Sequence, residues 1–133
     1  MATLSNIHLE ATRSTPEVSF DSAGNRLSII GQSYPENAFA FYQPLLQWID
    51  DYFAQLEEGT EVSVELQLPY INTTSTKCLL MLLEKLEEAY SDGQRVAVRW
   101  LYDEDNESEL ECAEEFKEDL TLPFDIIAKS ADQ

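Results

Sequence analysis

Glycine is scarce in this chain of 133 residues, with only four in all. No glycine-rich loop of the kind that cradles phosphates can be assembled from them. Histidine is scarcer still. The single one, His8, sits near the N-terminus beside no nucleophile, so it is read as structural and no catalytic residue is assigned. The two cysteines, Cys78 and Cys112, make neither a disulfide framework nor a usual zinc site. Both fall in helical patterns among apolar or small residues, which fits buried free thiols in a reducing compartment. Basic residues are few: 8 Lys plus Arg face 26 Asp plus Glu, a formal net charge of −18. Such a chain is repelled by phosphate backbones and anionic lipid, which argues against nucleic-acid and membrane partners. The longest apolar run, Cys78 to Leu83, is too short to span a bilayer. Met1 to Glu10 shows no basic region followed by an apolar stretch, so no signal peptide is expected and the location expected is cytoplasmic.

What remains is a globular composition of single-domain size, with 44% hydrophobic and 11% aromatic residues. No linker, repeat or low-complexity segment divides it, so residues 1–133 read as one domain. Glu17 to Asp21 alternates as a short strand. Ser22-Ala23-Gly24-Asn25 is turn chemistry, and Arg26 to Gly31 reads as the hairpin partner. Ile7 to Ala11 gives a weaker strand signal. Asn37 fits the cap of a helix over about Ala38 to Leu56, with Phe41, Leu45, Trp48, Ile49, Tyr52 and Phe53 inward and a kink or restart expected at Pro44.

Glu61 to Leu68 is the clearest strand. Val62, Val64, Leu66 and Leu68 point one way; Glu61, Ser63, Glu65 and Gln67 point the other. Val96, Val98 and Trp100 repeat the pattern. A sheet covered on both faces would show continuous apolar runs instead, so the expectation is an α/β fold with a mixed sheet and helices mainly on one face. A central helix spans about Thr73 to Ser91, apolar almost all round at Cys78 to Leu83. A last helix covers about Glu107 to Leu120, and a short strand Phe124 to Ala128 follows Pro123. The strand–helix–strand order implies a crossover between parallel strands.

The acids of Asp103-Glu104-Asp105-Asn106-Glu107 lack the glycine and spacing of a calcium loop. They read as a solvated loop and helix start, and neither metal nor cofactor is expected. The informative segment is Pro69-Tyr70-Ile71-Asn72-Thr73-Thr74-Ser75-Thr76-Lys77, where a buried strand turns into a buried helix. Asn72 or Thr73 can cap that helix. One cap does not need so many hydroxyl and amide side chains in a row. A phosphate here would be tolerated by the helix end, and it would put nearly two negative charges on a docking surface.

In its order of blocks the chain resembles the SiaC-like biofilm-regulation phosphoproteins. The blocks are Ser33-Tyr34-Pro35-Glu36-Asn37, Tyr70-Ile71-Asn72-Thr73-Thr74-Ser75-Thr76-Lys77, Arg99-Trp100-Leu101-Tyr102-Asp103 and Ala113-Glu114-Glu115-Phe116-Lys117-Glu118-Asp119; Ser14-Thr15-Pro16 also fits. The resemblance implies a fold similar to STAS-type anti-anti-sigma factors and a non-enzymatic switch protein. It implies phosphorylation of Thr73 by a dedicated serine/threonine kinase, with Thr74 and Ser75 as neighbouring hydroxyls, and reversal by a phosphatase. It implies that the unphosphorylated form activates a diguanylate cyclase, raising cyclic di-GMP and promoting aggregation or biofilm. The same blocks supply candidate partner contacts: Tyr34, Glu36, Asn37, Tyr70, Asn72, Thr74, Ser75 and Lys77. Two other readings stand beside this one. An anti-anti-sigma factor would act by partner switching with an anti-sigma kinase. A small enzyme would use acidic residues as general acid and base, and it is disfavoured by the missing nucleophile arrangement.

Overall fold

Period-2 alternation in the chain builds one sheet with a dry face and a wet face. The computed structural model describes residues 5–129. Its six strands are β1 (Ile7–Leu9), β2 (Glu17–Asp21), β3 (Arg26–Ile30), β4 (Glu61–Gln67), β5 (Arg95–Asp103) and β6 (Phe124–Lys129). They lie side by side in chain order. β1, β2 and β3 are antiparallel, whereas β3, β4, β5 and β6 are parallel, so the sheet is mixed and β4 is an interior strand. Three helices supply the parallel crossovers: α1 (Ala38–Gln55), α2 (Thr73–Ser91) and α3 (Glu107–Glu118). The short strand β1, only weakly legible in the sequence, pairs Ile7 to Leu9 with Phe20 to Val18.

Val18, Phe20, Leu27, Ile29, Val62, Val64, Leu66, Val96, Val98, Trp100 and Phe124 are buried on the dry face. Against them pack Tyr42, Leu45, Ile49 and Tyr52 of α1, Leu79, Leu82, Leu83 and Leu86 of α2, and Ala113 and Phe116 of α3. Trp100 stacks on both Phe116 and Phe124. Among the described residues no helix covers the opposite face. Glu61 and Ser63 are exposed there, and Glu65 and Gln67 are half-buried among their strand neighbours. The expectation of helices on one side holds.

Several details differ from the sequence reading. α1 turns Tyr42 and Leu46 into the core and leaves Phe41 and Phe53 at its margin. It runs unbroken through Pro44. Pro44 is exposed, so the carbonyl that loses a donor there faces water, and the cost of proline falls. In α2, Leu80 and Met81 are solvent-exposed, so the run from Cys78 to Leu83 is not buried all round. α3 closes at Glu118 rather than Leu120. Its return loop is tied to α2, because the Glu87 carboxylate accepts from the backbone N–H groups of Thr121 and Leu122 and from the Thr121 hydroxyl.

Candidate functional site

The site begins where β4 ends. Beyond Gln67 the chain rises through Pro69 and Tyr70 into α2, and the pairing between β3 and β4 does not stop with the strands. A parallel bridge joins Ser33 to Ile71. Ser33 N–H donates to the Tyr70 carbonyl at 2.8 Å, and Asn72 N–H donates to the Ser33 carbonyl at 2.9 Å. The loop after β3 and the loop after β4 are thus zipped together. Tyr34 N–H reaches back to the Ser14 carbonyl at 2.7 Å, which ties in the segment before β2. Gly31 makes this approach feasible. Its φ is +132°, and a Cβ there would lie 3.1 Å from Pro16 Cα.

Three buried hydroxyls lock the junction from beneath. Ser33 Oγ lies 2.7 Å from the Tyr42 hydroxyl and donates to Ser75 Oγ at 2.9 Å. Because the Ser33 proton points to Ser75, Tyr42 is the donor to Ser33. The three side chains come from the β3–α1 loop, from α1 and from α2, so one hydrogen-bond chain spans all three elements. Burial pushes the Tyr42 phenol up to about 12, with the Ser33 bond opposing the shift. Burial likewise pushes up the nearby Cys78 thiol.

On the outside, Asn72 is the cap of α2: its Oδ1 accepts from Ser75 N–H at 2.9 Å. Thr73 is therefore the first helical residue and is free of capping duty. Its side chain is exposed and makes no hydrogen bond among the described residues. Thr74 is half-buried, and Lys77 is exposed with no ion-pair partner among the described residues. Tyr70 is 54% exposed and meets Tyr34 edge to face at 5.7 Å. Glu36 and Asn37 lie at the start of α1, where Asn37 Oδ1 caps the helix through Ala40 N–H at 3.0 Å.

One candidate moves. Ser75 was expected among the partner contacts and as a hydroxyl that a kinase reaches, yet it is fully buried. Its hydroxyl is a structural pin, because residue 75 falls on the core face of α2. Ser33 and Tyr42, which complete the pin, were not singled out from the sequence. The helical spacing from Ala38 through Tyr42, Leu45 and Ile49 carried the signal for Tyr42, but nothing local marked Ser33.

Other features carry less. A surface hollow of about 830 Å³ lies away from this junction beside α3, lined by Glu111, Glu114, Glu115, Lys117 and Glu118 over Leu120 and Ile126. Its walls are mostly acidic, with Lys117 among the four glutamates. In the acidic loop, Asn106 caps α3 through Glu109 N–H and Asp103 accepts from Asp105 N–H. No group of three His, Cys, Asp or Glu among the described residues is arranged to hold a metal ion. No described helix is long and apolar enough to cross a membrane.

These features define an open-faced α/β protein that presents an unengaged threonine at the start of its central helix, pinned from below and flanked by tyrosines. The chain belongs to the SiaC family of regulatory phosphoproteins, whose model matches residues 9–129. It is 40% identical over 125 residues to an uncharacterized protein of Pseudomonas aeruginosa strain UCBPP-PA14, covering 94% of this chain and 98% of that one. The solved structure of SiaC of Pseudomonas aeruginosa matches with a TM-score of 0.87 at 38% identity, over 94% of this chain and 99% of that one. SiaC in its complex with the diguanylate cyclase SiaD, where it is described as the cyclase's activator, matches with a TM-score of 0.88 at 39% identity, over 92% and 99% of the two chains.

Proposed function

We propose that this protein is a cytoplasmic activator of a diguanylate cyclase, switched off by phosphorylation of Thr73. The observation that carries the reading is the exposed Thr73 hydroxyl at the first position of α2, with Asn72 doing the capping. A kinase transfers the phosphoryl group of a nucleoside triphosphate to Thr73 Oγ1, releasing the hydroxyl proton and a nucleoside diphosphate. A phosphatase hydrolyses the ester with water. The product carries nearly two negative charges at a helix N-terminus, where the backbone dipole favours an anion, so the modification does not unfold the helix. What it changes is the surface. A partner seated on Tyr34, Tyr70, Thr74 and Lys77 meets a new, strongly hydrated charge. The unmodified form binds the cyclase and raises cyclic di-GMP, promoting aggregation or biofilm; the phosphorylated form does not.

The likeness to SiaC, which activates SiaD, supports the choice of partner. Mass spectrometry of the protein from its host, followed by titration of modified and unmodified forms against SiaD and the host's own diguanylate cyclases, tests the proposal. Phosphate on Thr73 and at least tenfold weaker binding of the modified form are expected. Phosphate only on another residue, or equal affinity of the two forms, would refute it.

A further inference from the structure

A sheet that does not close into a barrel has two edge strands, here β1 and β6. β1 has three residues and offers little. β6 has six, Phe124–Lys129, and pairs with β5 alone. Two bonds fix which of its backbone groups point outward. The Pro123 carbonyl accepts from Val98 N–H at 2.9 Å, and the Lys129 carbonyl accepts from Glu104 N–H at 3.0 Å. Residues 123, 125, 127 and 129 thus face β5, and alternation along the strand turns the N–H and C=O groups of Phe124, Ile126 and Ala128 outward. Nothing among the described residues pairs with that side. Open backbone of this kind is a template for a further strand.

The hollow beside α3 opens along the same edge. Ile126 and Leu120 form its floor, and no β5 residue lines it, so it lies on the outer side of β6. Glu111, Glu114, Glu115 and Glu118 stand over it, all exposed and none in an ion pair among the described residues. We propose that β6 is a docking edge for an extended basic segment of another protein, which joins the sheet as a seventh strand. The proposal is independent of the cyclase reading. Charge selects the occupant. A second copy paired edge to edge would set the glutamate stripe against its own image, on a chain of net charge −18. A strand with Lys or Arg at every second position meets the stripe favourably. Side chains alternate across a strand, so its basic residues all fall on the side of α3. Their methylene stems cover Leu120 and Ile126 while their charged heads reach the glutamates. The residues between them, β-branched for strand preference, lie on the bare face beside Ile127. From Glu111 to Glu118 the stripe is about 10 Å long, and alternate strand side chains are about 7 Å apart, so it matches two basic residues. Main-chain bonds supply the affinity and the acids the selectivity, as in other cases of strand addition.

The probe is the end-blocked peptide Lys-Val-Lys-Val-Lys-Val-Lys, titrated by fluorescence anisotropy against the full chain. A control peptide has proline for the central valine, which keeps the charge but cannot continue a ladder. The alternating peptide is expected to bind about tenfold or more tightly than the control, the scale of one or two hydrogen bonds. Amide hydrogen exchange is expected to slow at Ile126 and Ala128 when it binds. Glu114→Lys with Glu118→Lys, both exposed positions, is expected to weaken binding about tenfold. Ala128→Pro removes an outward N–H at an exposed edge position, so it is expected to keep the fold and lose binding to a similar extent. No binding by the alternating peptide, equal affinity for the two peptides, or unchanged exchange at Ile126 and Ala128 would each overturn the proposal. So would full binding by the Glu114/Glu118 variant or by folded Ala128→Pro. Slower exchange at the same amides on concentrating the chain alone would make a second copy the occupant and overturn it too. None of these outcomes bears on Thr73.

Discussion

Removing the Ser33 hydroxyl breaks both links of the buried chain beneath the start of α2. In Ser33→Ala, Tyr42 loses the acceptor at 2.7 Å and Ser75 loses the donor at 2.9 Å. Tyr42, Ser33 and Ser75 are all fully buried, so water does not replace the lost partner without opening the junction. An unsatisfied buried polar group costs about 1–3 kcal/mol, and two are created here, so a loss of roughly 2–4 kcal/mol is expected after partial relaxation. For a domain of this size that lowers the melting temperature by roughly 6–15 °C. The triple variant Ser33→Ala, Tyr42→Phe, Ser75→Ala removes donors and acceptors together, and it should regain much of the loss because no polar group is left stranded. Urea denaturation of wild type, the three single variants and the triple variant supplies the comparison. The reasoning is refuted if Ser33→Ala costs less than about 0.5 kcal/mol, or if the triple variant is as unstable as the singles combined.

Four further outcomes follow from the geometry. Leu79→Ala, Leu82→Ala and Leu83→Ala, all on the buried face of α2, should each lose about 2–5 kcal/mol by denaturant midpoint. Thr73→Ala should cost less than about 0.5 kcal/mol, because Asn72 holds the cap, and in titrations it should bind the partner constitutively, whereas Thr73→Asp binds poorly. Burial raises the Glu109 carboxyl, and the Asp103 carboxylate adds to the rise against the Asp103 N–H bond and Lys129. Since the folded state holds that proton more tightly than the unfolded chain, Glu109 loses stability as pH rises from the ordinary carboxylate range through its own raised value. Glu109→Gln should therefore be stabilised relative to wild type at neutral pH, with the difference vanishing in acid. In an ultraviolet titration two phenols, Tyr42 and Tyr52, should remain protonated to about pH 12, and Tyr52→Phe should remove one of them.

The sequence showed the sheet because β4 and β5 alternate without exception from Glu61 to Gln67 and from Arg95 to Trp100. A single buried face leaves that signature and no other. It showed α2 almost to the residue, because Asn72 caps one end and Asp92-Gly93 closes the other. β1 was faint because three residues at a sheet edge bury little. The face of α1 was misjudged by one position at Tyr42, since Phe41 is equally apolar and only the hydroxyl chain to Ser33 decides which ring turns inward. The place of Thr73 at the exposed start of α2 was legible because a strand ended beside a helix cap. Ser75 was misread because all the hydroxyls of that segment look alike in one dimension; the turn of the helix sends residue 75 into the core while residue 73 stays in water. The exposure of Leu80 and Met81 was hidden by the same ambiguity, within a run that is otherwise core.

The bare face of the sheet bears on how freely the chain can change. Along β2 to β5 every second side chain faces an uncovered surface, so substitution there disturbs no packed layer. A saturation scan read out by folded yield should oscillate with period two through these strands, tolerant at Ser19, Ser28, Ser63 and Ala97 and intolerant at Phe20, Leu27, Val64 and Val98. That face is therefore the place to attach a fluorophore or an affinity tag when α2 must be left free. It is also where homologues can diverge most without losing the fold.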